Sequence, residues 1–179
     1  MRKVIRKWFW AWNFEKEEEW LNEMSAKGLA LVDYTFCRYV FEECEPGEYV
    51  YKMQLLENLP SHPESEQYIR FMEDAGIEEV ASYMRWVCFR KKNDGTPFEL
   101  FSDIGSRIKH LRMINALLLP LCIMNFGIGC TNTANLIYYA PSMVWLPMLN
   151  FAAAALLGVG IYKIQKKINV LKKEQTIRE

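Results

Sequence analysis

The residues that most often carry chemistry are sparse in this chain of 179 residues and form no recognisable motif. The two histidines, His62 and His110, have no cysteine or carboxylate partner at a spacing typical of a metal site or of a nucleophile and its base. Five cysteines form no CxxC pair, and their odd number argues against a disulfide framework. They are Cys37, Cys44, Cys88, Cys122 and Cys130. We therefore predict a protein that is not an enzyme, with no catalytic residue, no cofactor-binding residue and no metal site.

The charges of the chain are divided unevenly between its two parts. Residues 1–104 have a net charge of −7 and residues 105–179 a net charge of +7. The acidic part argues against direct nucleic-acid binding, which needs a clustered basic surface. The acidic runs 17–19 and 42–45 are typical of solvated faces, with a cation site as the weaker alternative. In the basic part the charges flank long apolar runs, which indicates a membrane as partner.

Two uncharged segments, residues 113–130 and 143–162, are long enough to cross a bilayer as helices. Helical residues rise about 1.5 Å each, so roughly twenty of them span the hydrocarbon core of about 30 Å. The alternative is a pair of buried core helices in a soluble protein. We predict a transmembrane hairpin, preceded by a juxtamembrane helix over residues 104–112 that Asp103 caps.

The charges that flank these segments predict their orientation. The membrane-flanking cations are Arg107, Lys109 and Arg112 before the first segment and Lys163, Lys166 and Lys167 after the second. The connecting loop, residues 131–142, contains no lysine or arginine. By the positive-inside rule, both termini and the basic tail, residues 163–179, are cytoplasmic and the loop is extracellular. The prediction is a cell-membrane protein with two spans.

Interfacial and packing residues complete this picture of the hairpin. Tyr138, Tyr139 and Trp145 are expected at the outer interface, and Tyr162 at the inner one. Ala154 and Gly158 are four residues apart, a small-xxx-small pattern that allows close helix packing. They predict packing either between the two spans or with a partner protein.

The acidic part contains an internal repeat. Residues 19–47 align with residues 67–95 at a constant offset of 48 and without a gap. Apolar positions of one helical face match, and so do a helix-ending glycine (Gly28 and Gly76) and a turn glycine (Gly47 and Gly95). An aromatic, strand-like run precedes each copy. Each unit, about residues 7–47 and 48–95, therefore reads strand, helix, strand, strand.

Two such units predict the fold class. We expect residues 1–103 to form a cytoplasmic α+β domain of the ferredoxin-like or α+β sandwich type, followed by the helical hairpin. One mostly antiparallel sheet would carry two helices on one face. In this interpretation Trp8, Trp10 and Trp12 alternate along the first strand.

The other face of that sheet would carry aromatic rows that form a candidate interaction face. Its members are Trp8, Trp10, Trp12, Tyr39, Phe41, Tyr49, Tyr51 and Trp86. An open patch of this kind is too large to leave in water. It could close on a second copy of the chain, bind a ligand or peptide, or be buried by another part of the chain.

Several phrases together resemble a known family: "FEKEEEWLNEMSAKG", "YVFEECEPGEYVYKMQLLEN", "CFRKK" and "ELFSDIGSRIKHLRMINALLL". The chain resembles, over about residues 5–115, a bacterial family described as domain of unknown function 2812, found largely in Bacillota. The family often has tryptophan after each helix-ending glycine, where this chain has Leu29 and Ile77. The resemblance implies membrane helices at the C-terminus and genomic neighbours that encode PadR-type repressors. It implies no catalytic residue.

These observations give two functional hypotheses. The first is a membrane-anchored regulatory or scaffold protein whose cytoplasmic domain mediates interaction or sensing, with a homo-oligomer or a membrane or regulatory protein as partner. Its link to a PadR-type regulator comes from the resemblance alone. The alternative is a ligand-binding module, or an accessory subunit of a transporter, that uses the aromatic sheet face.

Overall fold

The computed structural model describes residues 2–138 and 144–178, and the chain divides into two compact units, Met1–Ser102 and Asp103–Glu179. The first unit is α+β and the second is helical. The first contains β1 (Lys3–Arg6), a 3-10 turn (Ala11–Asn13), α1 (Phe14–Ala26), β2 (Leu29–Thr35), β3 (Arg38–Glu43), β4 (Tyr49–Leu55), α2 (Pro63–Asp74), β5 (Glu78–Tyr83) and β6 (Trp86–Lys92). The second contains α3 (Ile104–Tyr138) and α4 (Trp145–Arg178).

The predicted duplication of strand, helix, strand, strand is confirmed, but the strands form two sheets instead of one. Each sheet has three antiparallel strands in the same order, β1-β3-β2 in the first copy and β4-β6-β5 in the second. Both copies have a bulge at the same place, between Leu31 and Asp33 and between Glu79 and Ala81. The single-sheet prediction was wrong because each copy pairs its first strand with its own third strand, which completes a ladder within the copy.

The glycines that end the two helices behave as the repeat predicts. Gly28 and Gly76 have φ values of +77° and +79°. This left-handed conformation costs residues with a Cβ atom about 1 kcal/mol, and glycine adopts it freely. Gly28 is further constrained, because a Cβ atom there would lie 3.0 Å from the carbonyl oxygen of Cys44. The same helix-to-strand turn therefore occurs in both copies, with its glycines 48 residues apart.

The predicted strand over Trp8, Trp10 and Trp12 is not present. The ladder with β3 ends where the amide of Lys7 donates to the carbonyl of Cys37 at 3.1 Å. The chain then leaves the sheet, and the amide of Asn13 donates to the carbonyl of Trp10 at 2.7 Å to close the 3-10 turn. The alternation of the tryptophans thus belongs to an irregular segment beside the sheet.

Two hydrophobic clusters hold the first unit together. The larger cluster lies between α1, the face of the first sheet that α1 covers, and the back of the second sheet, which is the face that α2 does not cover. Its buried members are Trp20, Leu21, Met24, Leu31, Tyr34, Tyr39, Phe41, Tyr51, Met53 and Cys88. The smaller places α2 on the other face of the second sheet, where Ile69 and Met72 pack with Val87 and Phe89. The two copies therefore stack front to back, since the helix-covered face of one meets the bare face of the next.

Helix α1 also covers the edge of β4, which no strand pairs. Three of its side chains, spaced by four and three residues, hydrogen-bond to alternate residues of the strand backbone. Glu18 accepts from the amide of Met53 (2.9 Å), Asn22 accepts from the amide of Tyr51 (2.8 Å) and donates to its carbonyl (3.2 Å), and Ser25 accepts from the amide of Tyr49 (3.3 Å) and donates to its carbonyl (2.6 Å). Side chains of the helix thus satisfy backbone groups that an exposed edge would present to other chains.

In the second unit α3 and α4 pack as an antiparallel pair. The Cys122 thiol donates to the carbonyl of Ala154 at 3.3 Å, and the rings of Phe126 and Phe151 lie 5.7 Å apart. Asp103 caps α3, as predicted, by accepting from the amide of Ser106 at 2.8 Å.

The helices extend beyond the predicted spans. Helix α3 continues through residues 131–138, which the sequence assigned to the loop, and α4 continues without a break through the tail. The rest of the predicted loop, including Tyr139, and the side chain of Tyr138 lie outside the described residues. Trp145 and Tyr162 are exposed.

Of the predicted small-xxx-small pair, Ala154 and Gly158, only the first lies at the contact between the helices. Ala154 is buried against α3, whereas a Cβ atom on Gly158 would have no neighbour within 4 Å. The close approach lies instead at Gly129, where a Cβ atom would lie 3.0 Å from the ring of Phe151.

Candidate functional site

The residues proposed as an open aromatic face lie mostly inside the first unit. Tyr39, Phe41 and Tyr51 are fully buried in the larger cluster, and Trp12 is also buried. Tyr49 and Trp86 are half-buried, and only Trp8 and Trp10 are exposed among the proposed residues. The face is covered because α1 and the back of the second sheet close on it, so another part of the chain is its occupant.

Buried tyrosine hydroxyls connect the two sheets. The Tyr51 hydroxyl accepts from the amide of Leu31 at 2.9 Å, beside the bulge of β2. The Tyr34 hydroxyl donates to the carbonyl of Trp86 at 3.1 Å. Burial raises the pKa of Tyr51 to about 12, so its hydroxyl stays protonated at neutral pH. These tyrosines position the sheets and are not available to a ligand.

One carboxylate is half-buried in this aromatic core. The Tyr39 hydroxyl donates to Glu17 Oε1 at 2.6 Å. Burial raises the pKa of Glu17, and the hydrogen bond from Tyr39 opposes that shift in part. Glu17 and Tyr39 together can hold a proton. Their neighbours, however, are aromatic rings and the buried thiol of Cys88, and burial raises the pKa of that thiol well above its ordinary value.

The histidines take ordinary structural positions. His62 caps α2 by accepting from the amide of Glu64 through Nδ1 at 3.4 Å. His110 is buried in α3. Within residues 2–138 and 144–178, no group of three or more His, Cys, Asp or Glu side chains is placed to hold a metal ion.

Exposed aromatic side chains gather at one end of the first unit, apart from Phe71 (65% exposed), which lies on α2. We call this set the aromatic tip, and it consists of Trp8 (50% exposed), Trp10 (36%), Phe36 (60%), Tyr83 (37%) and Met84 (70%). At about 200 Å² per aromatic side chain, the four rings alone expose about 370 Å². An exposed apolar patch of this size is a candidate interaction surface.

The tip is assembled from three separate segments that touch through their rings. Trp8 lies 5.1 Å from Trp10 and 5.0 Å from Phe36, and Phe36 lies 6.1 Å from Tyr83. Trp10 stacks on the buried Trp12 at 4.9 Å with an interplanar angle of 7°. The exposed rings are therefore fixed to the core before any partner arrives.

Phe36 and Met84 occupy equivalent positions of the repeat, 48 residues apart, in the two-residue turns β2–β3 and β5–β6. Such turns favour glycine or asparagine because they need positive φ values. Here Cys37 and Met84 adopt φ values of +59° and +55°. The repeat alignment already placed a large apolar residue in each of the two turns. This signal for the tip was present in the sequence, but the sequence interpretation missed it.

Three basic residues lie next to the tip, on the side of the first sheet. We call Arg6, Lys7 and Arg38 the basic rim. Arg6 and Arg38 are cross-strand partners, an unfavourable arrangement for like charges. Arg38 contacts Asp33 at 3.1 Å, whereas Arg6 and Lys7 form no ion pair within the described residues. The ammonium of Lys7 lies 4.6 Å from the centre of the Trp20 ring.

The second unit offers a different surface. Its helices α3 and α4 are both long and apolar enough to cross a membrane. Because they are antiparallel, the flanking cations gather at one end of the pair. Arg107, Lys109 and Arg112 on α3 and Lys163, Lys166 and Lys167 on α4 form this group.

Comparison with known proteins identifies the family but no activity. The family model described as protein of unknown function (DUF2812) matches residues 13–123, more than half of the chain. The match begins at the start of α1 and extends into α3. No curated protein and no solved structure matches the chain. Since the match covers more than half of the chain, from α1 to the start of the apolar hairpin, the chain belongs to the DUF2812 family of proteins of unknown function.

Proposed function

We propose that this protein is a non-enzymatic, membrane-anchored interaction protein. In this proposal α3 and α4 cross the cell membrane as a hairpin, and both termini and the first unit lie in the cytoplasm. The observation that supports it best is the polarity of the antiparallel helix pair. Its cations gather at one end, while its uncharged segments form the other.

The lengths of the helices fit this arrangement. Helices of 35 and 34 residues are about 50 Å long, whereas the hydrocarbon core is about 30 Å thick. The excess of about 20 Å corresponds to the basic end, which would stand in the cytoplasm beside the anionic headgroups.

The first unit supports a role in interaction. Its buried polar side chains are used in structural hydrogen bonds, as in the α1–β4 edge, and the aromatic tip groups several of its exposed apolar side chains. The transporter-accessory alternative needs a ligand site on the aromatic sheet face. That face no longer supports it, because Phe41 and Tyr51 are fully buried. A regulatory role beside a PadR-type repressor rests on the family resemblance.

The orientation can be tested with an impermeant maleimide on intact cells. A Ser142→Cys variant should react from outside, and a Thr176→Cys variant should react only after the cells are opened. The natural chain, which retains all five cysteines, gives the background. Reaction of Ser142→Cys only in opened cells, or release of the protein by alkaline carbonate, would contradict the anchoring.

A pull-down from solubilised membranes with the tagged full-length chain tests the regulatory part. Recovery of a PadR-type repressor in proportion to the bait supports it. Recovery of a permease would instead favour the transporter-accessory role.

A further inference from the structure

We propose that the aromatic tip docks on the interface of an anionic lipid bilayer, with the exposed rings at headgroup level and the basic rim against lipid phosphates. The proposal rests on the membrane anchoring proposed above, which keeps the first unit beside a leaflet. It goes further by assigning a lipid surface as the partner of the soluble unit itself.

The composition of the tip favours a bilayer interface. Trp8, Trp10 and Tyr83 are amphipathic rings of the kind that concentrates at headgroup level. Phe36 and Met84 project from turns, are the most exposed members, and have no polar atom that must remain hydrated. A convex set of turn residues of this type fits a surface that can deform around it.

The charges favour an anionic surface over a neutral one. Arg6 and Lys7 have no ion-pair partner among the described residues, and Arg6 faces Arg38 across the ladder. Lipid phosphates would relieve the repulsion between the two guanidinium groups. Each cation near an anionic leaflet strengthens binding several-fold.

The remaining surface of the unit determines which end can approach. The unit is acidic overall, and the end of β3 opposite to the tip carries Glu42 and Glu43. An anionic leaflet would repel that end and attract the basic rim. The basic rim and the exposed rings thus lie at one end of β3, whereas at the other end Glu43 is exposed and Glu42 is paired with Arg2 at 2.8 Å.

The rings are also preorganised for docking. Trp10 stacks on the buried Trp12, and each ring contact along the tip lies between 4.9 and 6.1 Å. A surface that is already ordered loses little side-chain entropy on binding.

The test uses the full-length protein in vesicles that contain phospholipids brominated near the headgroup, which quench tryptophan fluorescence on contact. Vesicles of phosphatidylcholine are compared with vesicles that contain phosphatidylglycerol. We expect stronger quenching in the anionic vesicles, and loss of this increment in the double variant Trp8→Phe, Trp10→Phe. Circular dichroism of the variant checks that the fold is retained.

Trp145, at the start of α4, separates this proposal from the anchoring on which it rests. A Trp145→Phe variant should lose a portion of quenching that is the same in both kinds of vesicle. Loss of that portion without any effect of the Trp8→Phe, Trp10→Phe change would overturn tip docking and leave the anchoring intact. Absence of the Trp145 portion would contradict the anchoring itself.

A charge variant gives a second measurement. Arg6→Gln with Lys7→Gln should weaken docking about 30-fold, so that a higher phosphatidylglycerol content is needed for half-maximal quenching. The matched control, Lys27→Gln with Lys92→Gln, removes two exposed cations that lie away from the tip and should leave that content unchanged. Equal effects of both variants would overturn the proposal. So would shielding of Trp8 and Trp10 that grows with the protein-to-lipid ratio, because that result assigns the tip to a second copy.

Discussion

The substitution Asn22→Leu should detach β4 from α1 at the centre of their contact. Leucine has the same branched shape and the same number of side-chain heavy atoms and is a better helix former, but it removes the bonds of 2.8 and 3.2 Å to the backbone of Tyr51. Each bond contributes about 1 kcal/mol net, and a buried amide left without a partner costs a further 1–3 kcal/mol. We therefore expect the free energy of opening this edge to fall by at least about 2 kcal/mol from the two bonds alone, and by up to about 5 kcal/mol when the unpaired amide is included.

Hydrogen exchange followed by mass spectrometry of the full-length protein in detergent micelles measures this opening directly. Exchange in the peptide that covers residues 49–55 should be at least about 30-fold faster in the variant, because a loss of 2 kcal/mol raises the open population by that factor. The rest of the second sheet, residues 86–92, should change less.

The repeat supplies a matched control for this experiment. Arg70 occupies the position of α2 equivalent to Asn22, and its side chain is exposed. An Arg70→Leu variant should change stability by less than about 0.5 kcal/mol. If the two variants exchange residues 49–55 at the same rate, the side chains of α1 do not hold the edge of β4 and the reasoning fails.

Two further predictions concern the core and the hairpin. Because burial raises the pKa of Glu17 in the folded state, the folded protein binds that proton more tightly than the unfolded chain, so stability is lost as pH rises above the ordinary value of 4.5. Glu17→Gln preserves an acceptor for Tyr39 and should remove this loss of stability. The free energy of urea unfolding should then depend less on pH in the variant, and an unchanged pH dependence would contradict the prediction. Gly129→Ala should destabilise the helix pair by about 1–3 kcal/mol, since its Cβ atom would lie 3.0 Å from the Phe151 ring, whereas Gly158→Ala should stabilise it by up to about 1 kcal/mol through helix propensity. Loss of helicity on titration with sodium dodecyl sulfate compares the two, and equal midpoints would exclude a packing role for Gly129.

The local features of the fold were predictable because they have local causes. Gly28 and Gly76 mark the ends of both helices, since only a positive φ turns the chain there. The 48-residue offset predicted the order of elements in both copies, and the Asp103 cap predicted the helix that follows it. These features depend on neighbours in sequence and so appear in a single chain.

The placement of the aromatic side chains was not predictable in the same way. Tyr39, Phe41 and Tyr51 alternate along their strands whether they face solvent or a second layer. Which face is closed depends on the front-to-back stacking of the two sheets, a long-range contact that no periodicity reports. The alternation of Trp8 and Trp10 has the same ambiguity, because an irregular segment can also place every second side chain outward.

The hydrogen bonds between α1 and β4 have a consequence for how the chain can be divided. The helix belongs to the first copy and the strand to the second, so each copy lacks groups that the other provides. Residues 1–47 expressed alone would have a helix with unused polar side chains, and residues 48–102 a strand with a bare edge. A nick between the copies should therefore yield two fragments that fold only when mixed, and the repeat is one indivisible folding unit.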